Sequence, residues 1–223
     1  MKLLAGLVIV ALIAYLLVRK YIARQANGVA SKNAVFSEVS NLFEKFTIYP
    51  AASAGSIRLD GQFKNHWFQL QTIVDTLPVR KLPSLWLLVT LPVSVKVDAK
   101  LDMMMRPAGP TTFSNFDFLP HTIYTNSDFP SLAVLRSDYQ SGYANIDIVK
   151  RHLNFFENPR AKELLITPQG LRLVVQLAEA ERAHYGVFRE ARFNYGSVNL
   201  NLIEVMMNSL LALKVDLEND GTK

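Results

Sequence analysis

The chain carries four histidines, His66, His121, His152 and His184, and no cysteine. Without a thiolate there is no cysteine nucleophile, no iron–sulfur cluster and no thiolate zinc site. No two of the histidines stand close enough in sequence to share one turn of helix or one strand, so no local metal-ligand pair exists. The sequence also holds no glycine-rich phosphate loop and no G-x-S-x-G elbow. Asp60 with Asp75, and Glu179 with Glu181, have the residue types for general acid–base work. Acid pairs of this kind more often mark solvated turns. His121 is the histidine to follow, because it sits in FDFLPHTIY within an irregular aromatic stretch. Its expected role is structural, beneath a loop. His152 is expected on an exposed helix face. No catalytic residue, metal ligand or cofactor is assigned.

The strongest signal in the chain is apolar. Leu3 to Val18, LLAGLVIVALIAYLLV, holds no charge and no proline. As a helix it would cover about 24 Å at ~1.5 Å per residue, slightly less than a bilayer core of about 30 Å. Lys2 and Arg19 can close that gap by lifting their charges to the headgroups, and Tyr21 suits the interface. A cleaved signal would end in small residues. This stretch ends in Leu16, Leu17 and Val18, then Arg19 and Lys20, so it reads as a retained single-pass anchor over residues 1–24. The flanking cations Arg19, Lys20 and Arg24 outnumber Lys2, which places the following domain in the cytoplasm, at the inner or plasma membrane of a bacterium.

The net charge is +5 and the pI about 9.4. Setting aside Lys2, Arg19, Lys20 and Arg24 leaves 20 of the 24 cations against 19 acids, so the domain itself is near neutral. It has no basic stripe with interleaved aromatics, and no nucleic-acid partner is expected.

Residues 25–34 read as a tether. Residues 35–144 read as the first part of an α+β domain and 145–223 as its second part. Val35, Phe36, Val39, Leu42, Phe43 and Phe46 form a helical stripe, so Ala34 to Phe46 is predicted as an amphipathic helix. Two alternating runs around Lys64, Asn65 and His66 predict a hairpin. Leu85 to Leu91 is continuously apolar and predicts a central strand buried on both faces. Val93, Val95 and Val97 alternate with polar residues and predict a half-exposed strand. Met103, Met104 and Met105 read as the end of a strand entering the core, or else as an adaptable apolar surface. Pro107 to Pro130 is a long aromatic loop. Ser131 to Arg136 is predicted as a short helix, and Ile146 to Phe156 as another. Thr167-Pro168-Gln169-Gly170 predicts a second hairpin with a type I turn. Tyr185, Val187, Phe188 and Phe193 suggest a strand. A final helix is expected from Asn201 to about Leu217, with Glu204 completing a capping box.

The expected fold class is thus α+β: an N-terminal single transmembrane helix, then a mainly antiparallel sheet packed with a few helices. The expected function is that of a non-catalytic accessory or scaffolding subunit of a larger membrane complex. Its partners would be the membrane and other subunits of that complex. The contact candidates are Phe116 and Phe118 on the aromatic loop and Leu202, Val205 and Met206 on the final helix. The rival reading is a membrane-tethered binding module or enzyme for an apolar or lipid ligand, with the aromatic loop and Met103 to Met105 lining its pocket.

Overall fold

The computed structural model describes residues 15, 19, 34–49, 56–77, 82–124, 127–140, 146–188, 191–193 and 197–220. The anchor expected over residues 1–24 lies outside them, apart from Tyr15 and Arg19, and the tether expected over 25–34 lies outside them except for Ala34. Among the described residues no helix is long and apolar enough to cross a membrane.

Nine strands form one sheet: β1 (Lys45–Tyr49), β2 (Arg58–Phe63), β3 (His66–Asp75), β4 (Ser84–Leu91), β5 (Leu101–Met105), β6 (His121–Ile123), β7 (Ala133–Ser137), β8 (Ala161–Thr167) and β9 (Gly170–Glu179). Their order is β1-β2-β3-β4-β9-β8-β5-β7-β6. Every pairing is antiparallel. Three α-helices are described: α1 (Ile146–Arg151), α2 (Arg182–Phe188) and α3 (Leu200–Asp220). This corrects the expected fold class, an α+β domain behind an N-terminal transmembrane helix: the described chain is one large antiparallel sheet with three helices, mostly sheet, and no described helix is long and apolar enough for the span. The hairpin β8–β9, late in sequence, inserts between β4 and β5.

Local chemistry explains the two hairpins. Lys64 and Asn65 both take positive φ, 48° and 61°, as a two-residue type I′ turn requires. The second hairpin turns at Pro168 and Gln169, and Thr167 pairs with Gly170. Gly170 has a second reason to be glycine, since an added Cβ would stand 2.7 Å from the Leu91 carbonyl oxygen.

β4 lies inside the sheet, between β3 and the middle strand β9. Leu87, Val89 and Leu91 enter the main core, while Trp86 and Leu88 enter a smaller core on the opposite face. On the main face α3 lies over β4 and β9. It buries Ile203, Met206, Met207, Leu210, Leu213 and Leu217. Burying such a side chain fully stabilises by about 1.5–3 kcal/mol. The Asn199 Oδ1 accepts from the backbone N–H of Asn201 at 2.9 Å and of Leu202 at 3.4 Å, so Asn199 caps α3 and the expected capping box at Glu204 is not its start signal.

Several segments differ from their sequence reading. Of the predicted stripe, Val35, Phe36, Val39 and Phe43 are buried, Leu42 is half-buried and Phe46 is exposed, and in place of one helix there are two short 3₁₀ turns, Ala34–Phe36 and Val39–Leu42, with Phe43 just after the second. The chain then turns extended, because the β-branched and aromatic run from Phe46 to Tyr49 pairs with β2. Residues 93–97 keep their alternation of burial but form no strand. The Val95 N–H donates to the Pro168 carbonyl at 3.0 Å and the Val97 N–H folds back to Val95 at 2.9 Å. The helix expected at Ser131 to Arg136 is instead β7, which pairs with β5. A short apolar run suits either state, and here the open flank of β5 decides. The strand expected from Tyr185 to Phe193 is instead helix α2 through Phe188, with the Tyr185 N–H bonded to the Glu181 carbonyl at 2.9 Å.

If β4 is buried on both faces, a charge there has no partner. Leu87→Asp and Val89→Asp should each cost more than about 4 kcal/mol and abolish cooperative melting followed by circular dichroism. A wild-type melt for either variant would contradict the strand order.

Candidate functional site

The contact candidates fall into two groups. Phe116 and Met206 are core residues and present nothing to a partner. Phe118 is 80% exposed at the end of a 3₁₀ turn, and Val205 is 53% exposed on α3. Leu202 is half-buried. It lines an open groove of about 680 Å³ between the 158–160 turn, the end of β9 and the start of α3, together with Arg160, Gln176, Glu179 and Ser197. Of the flanking residues Lys2, Arg19, Lys20, Tyr21 and Arg24, only Arg19 is described.

The outward side of α3 has a simple make-up. Asn201, Val205, Ala212, Val215 and Asn219 are exposed, and Asn208 between them is half-buried. Their spacing repeats four then three, so they form one row along the helix. None of the six side chains is charged, although the Lys64 ammonium donates to Asn208 Oδ1 at 2.8 Å and exposed Glu204 flanks the row. Lys214 pairs with Glu218 at 2.9 Å, and Asp216 is held by His152 at 3.0 Å, so these charges sit beside the row. His152 is thereby half-buried and tied to α3, not exposed as expected. His121 begins the edge strand β6, opposite Ser137.

The acid pairs picked from sequence do not come together. Asp60 holds Arg58 through two contacts of 2.7 and 2.6 Å, while Asp75 is buried at the end of β3 and accepts from the Leu77 N–H at 3.2 Å. Glu179 ends β9 on the wall of the groove.

A different pair, Asp102 and Glu163, is buried on the smaller face of the sheet. Asp102 is 1% exposed on β5 and Glu163 0% exposed on β8. Leu165 stands opposite Asp102 and Met104 opposite Glu163, so the two acids are diagonal neighbours. The Arg172 guanidinium, from β9, donates to Glu163 Oε2 at 2.9 Å. The Ser114 hydroxyl donates to Asp102 Oδ2 at 3.3 Å and accepts from the Phe116 N–H at 3.1 Å. The aromatic loop closes over this cluster. Phe113 packs on Trp86 with ring centres 5.1 Å apart, and the Arg136 guanidinium lies 4.9 Å from the centre of the Phe116 ring while donating to the Asp117 carbonyl at 3.1 Å.

Burial pushes the Asp102 carboxyl up, to about 9, and the neighbouring Glu163 charge adds to this; Arg172 and the Ser114 hydroxyl oppose it. Asp102 therefore carries a proton at neutral pH beside an Arg-paired carboxylate. Among the described residues, buried polar side-chain atoms without a partner gather here too, at Trp86 Nε1, Thr111 Oγ1, Arg136 Nε and Arg172 Nε, while the proton on Asp102 bonds it to the Glu163 carboxylate. Their density suits bridging water under the loop. Among the described residues no three metal-ligating side chains converge. The signal for this site was present as single charges inside apolar strands, Asp102 in LDMMM, Glu163 in AKELLIT and Arg172 in GLRLVVQL. Only the pairing of β5, β8 and β9 shows that they meet.

No family model matches the chain, and no curated protein matches it. Among solved structures it is similar to the mycobacterial trehalose monomycolate transport factor A, TtfA, with a TM-score of 0.40 and 9% identity over 75% of this chain and 74% of that one. A likeness at that level supports no statement about fold or function.

The Asp102 shift has a definite sign. Its folded pKa lies above the unfolded value, so the proton it binds favours the folded state at low pH. That contribution falls as pH rises from about 4 towards about 9. Asp102→Asn mimics the protonated acid. It should melt several degrees above the native chain at pH 8 and converge with it near pH 4, as read by thermal denaturation across pH. Parallel pH profiles for the two proteins would show that Asp102 is ionised in the fold.

Proposed function

We propose that this protein is a membrane-associated, non-catalytic accessory or scaffolding subunit that docks another chain on the outward row of α3. The observation that carries this reading is the row of apolar and amide side chains from Asn201 to Asn219, with Val205 at 53% and Val215 at 51% exposure. A long surface helix normally turns charges to water on that side. An apolar and amide row at four-three spacing is suited to a second helix. The apolar stretch Leu3 to Val18 supports a membrane location. The rival reading, a module for an apolar or lipid ligand, needs Met103 to Met105 and the loop aromatics to line a pocket. Met103, Met104, Met105, Phe113, Phe116 and Phe129 are all packed in the two cores.

The test is purification in mild detergent of the native chain and of Val205→Glu and Val215→Glu. Both side chains point to solvent, so both variants should melt within a few degrees of native. Each should lose the chains that co-purify with the native protein. Unfolding of both variants, or retention of every partner, would sink the reading.

Orientation is a second proposal. Arg19, Lys20 and Arg24 favour a cytoplasmic domain. Protease added outside intact cells should leave the domain whole, whereas its complete digestion would reverse the assignment.

A further inference from the structure

β1 closes one end of the sheet, and among the described residues only β2 pairs with it. Lys45, Phe46, Thr47 and Tyr49 are exposed even so, with Phe46 at 47% and Tyr49 at 46%. An open edge presents unpaired backbone groups that template another strand, and proteins usually blunt it with proline, inward charge or short length. The far edge is blunted in this way, since β6 is only three residues long. β1 has no proline, and its one charge, Lys45, stands at its end.

We propose that the outer edge of β1 pairs antiparallel with the same edge of a second copy of this chain, joining the two sheets across a two-fold axis at Thr47. The sequence KFTIY is complementary to itself in the register of full overlap. Thr47 then faces the partner's Thr47, Phe46 faces the partner's Ile48, and Lys45 faces the partner's Tyr49. Threonine pairs and aromatic–β-branched pairs are favourable cross-strand neighbours, and an ammonium is attracted to a tyrosine ring. The faces agree as well. Phe46 and Ile48 share the side of Leu59 and Leu70, which is the main core, and Lys45, Thr47 and Tyr49 share the opposite side with Arg58 and Asp60. Slipping the register by one residue would turn one sheet over and set its core side against the other's open side. The contact is small beside the roughly 1,600 Å² of a standard interface, so the pairing is weak and concentration-dependent. It lies several strands away from α3, which crosses β4 and β9, and it does not rest on the partner proposed there.

The test traps the pair covalently in the full chain in mild detergent. The protein has no cysteine, so a single introduced thiol reports only on itself. Directly opposed residues have Cα atoms about 4.5–5.5 Å apart, within disulfide reach. Thr47→Cys should therefore form a covalent dimer at least tenfold faster than Gln62→Cys. Gln62 lies opposite Lys45 on β2, and its two copies would stand three strand spacings across and four residues along the strands from each other, about 20 Å apart. Thr47→Lys sets two like charges face to face and should shift elution of the concentrated protein from dimer to monomer, while Thr47→Val should not. Equal crosslinking at residues 47 and 62, native elution of Thr47→Lys, or crosslinking of Thr47→Cys to a different chain would each overturn the self-pairing.

Discussion

The fold depends on one constraint: β4 is apolar on both of its faces. An antiparallel strand with one wet face alternates, and LWLLVTL does not. Both sides of the sheet must therefore be covered where β4 runs. α3 covers one side. Among the described residues no α-helix contributes to the core on the other side, and the loop after β5 covers it instead, with Phe113 and Phe116 placed over Trp86, Leu88, Met104 and Val174. The long aromatic loop is a consequence of that second apolar face. Phe113, Phe116 and Phe129 are spent on packing, while Phe118 and Tyr124 stay exposed.

That second cover is unusual in what it closes over. An apolar lid would do best on an apolar floor, yet Asp102, Glu163 and Arg172 lie beneath it. Taking two acids and a guanidinium out of water costs several kcal/mol per ion unless each is paired. The chain reduces that cost in two ways. Glu163 is paired with Arg172, and Asp102 is neutral because burial holds its proton. A hydrophobic floor would hold the loop with no preferred position. The Ser114–Asp102 bond and the Arg136 contacts with residues 116 and 117 fix where the loop lies.

The parts of this fold legible in sequence are those decided within a few residues. The turns at Lys64-Asn65 and Pro168-Gln169 carry their own chemistry, and β4 declares itself by length and apolarity. The parts misread are those decided by a distant neighbour. Residues 131–136 are equally apolar as helix or strand, and the free flank of β5 selects strand. Residues 182–188 bury no side chain at all, so their apolar residues carried no information about a core. The stripe from Val35 to Phe46 predicts one amphipathic helix, but the chain makes two 3₁₀ turns and then leaves Phe46 exposed on β1, because pairing with β2 takes over from residue 45. The Asp102–Glu163 pair was invisible for a related reason. Its members belong to strands that become neighbours only when the β8–β9 hairpin docks between β4 and β5.

The first described turns connect the two ends of the domain. Val35, Phe36 and Val39 are buried in the main core, and the second 3₁₀ turn packs on α3. The Val198 N–H donates to the Val35 carbonyl at 3.4 Å, and the Ser197 hydroxyl donates to Glu38 at 3.0 Å. The start of α3 is thus stapled to the residues that follow the apolar N-terminal stretch. The orientation of α3 is set in part by the first described residues of the domain. Its physical basis is packing of Val35, Phe36 and Val39, side chains that lose several kcal/mol each when truncated in a core.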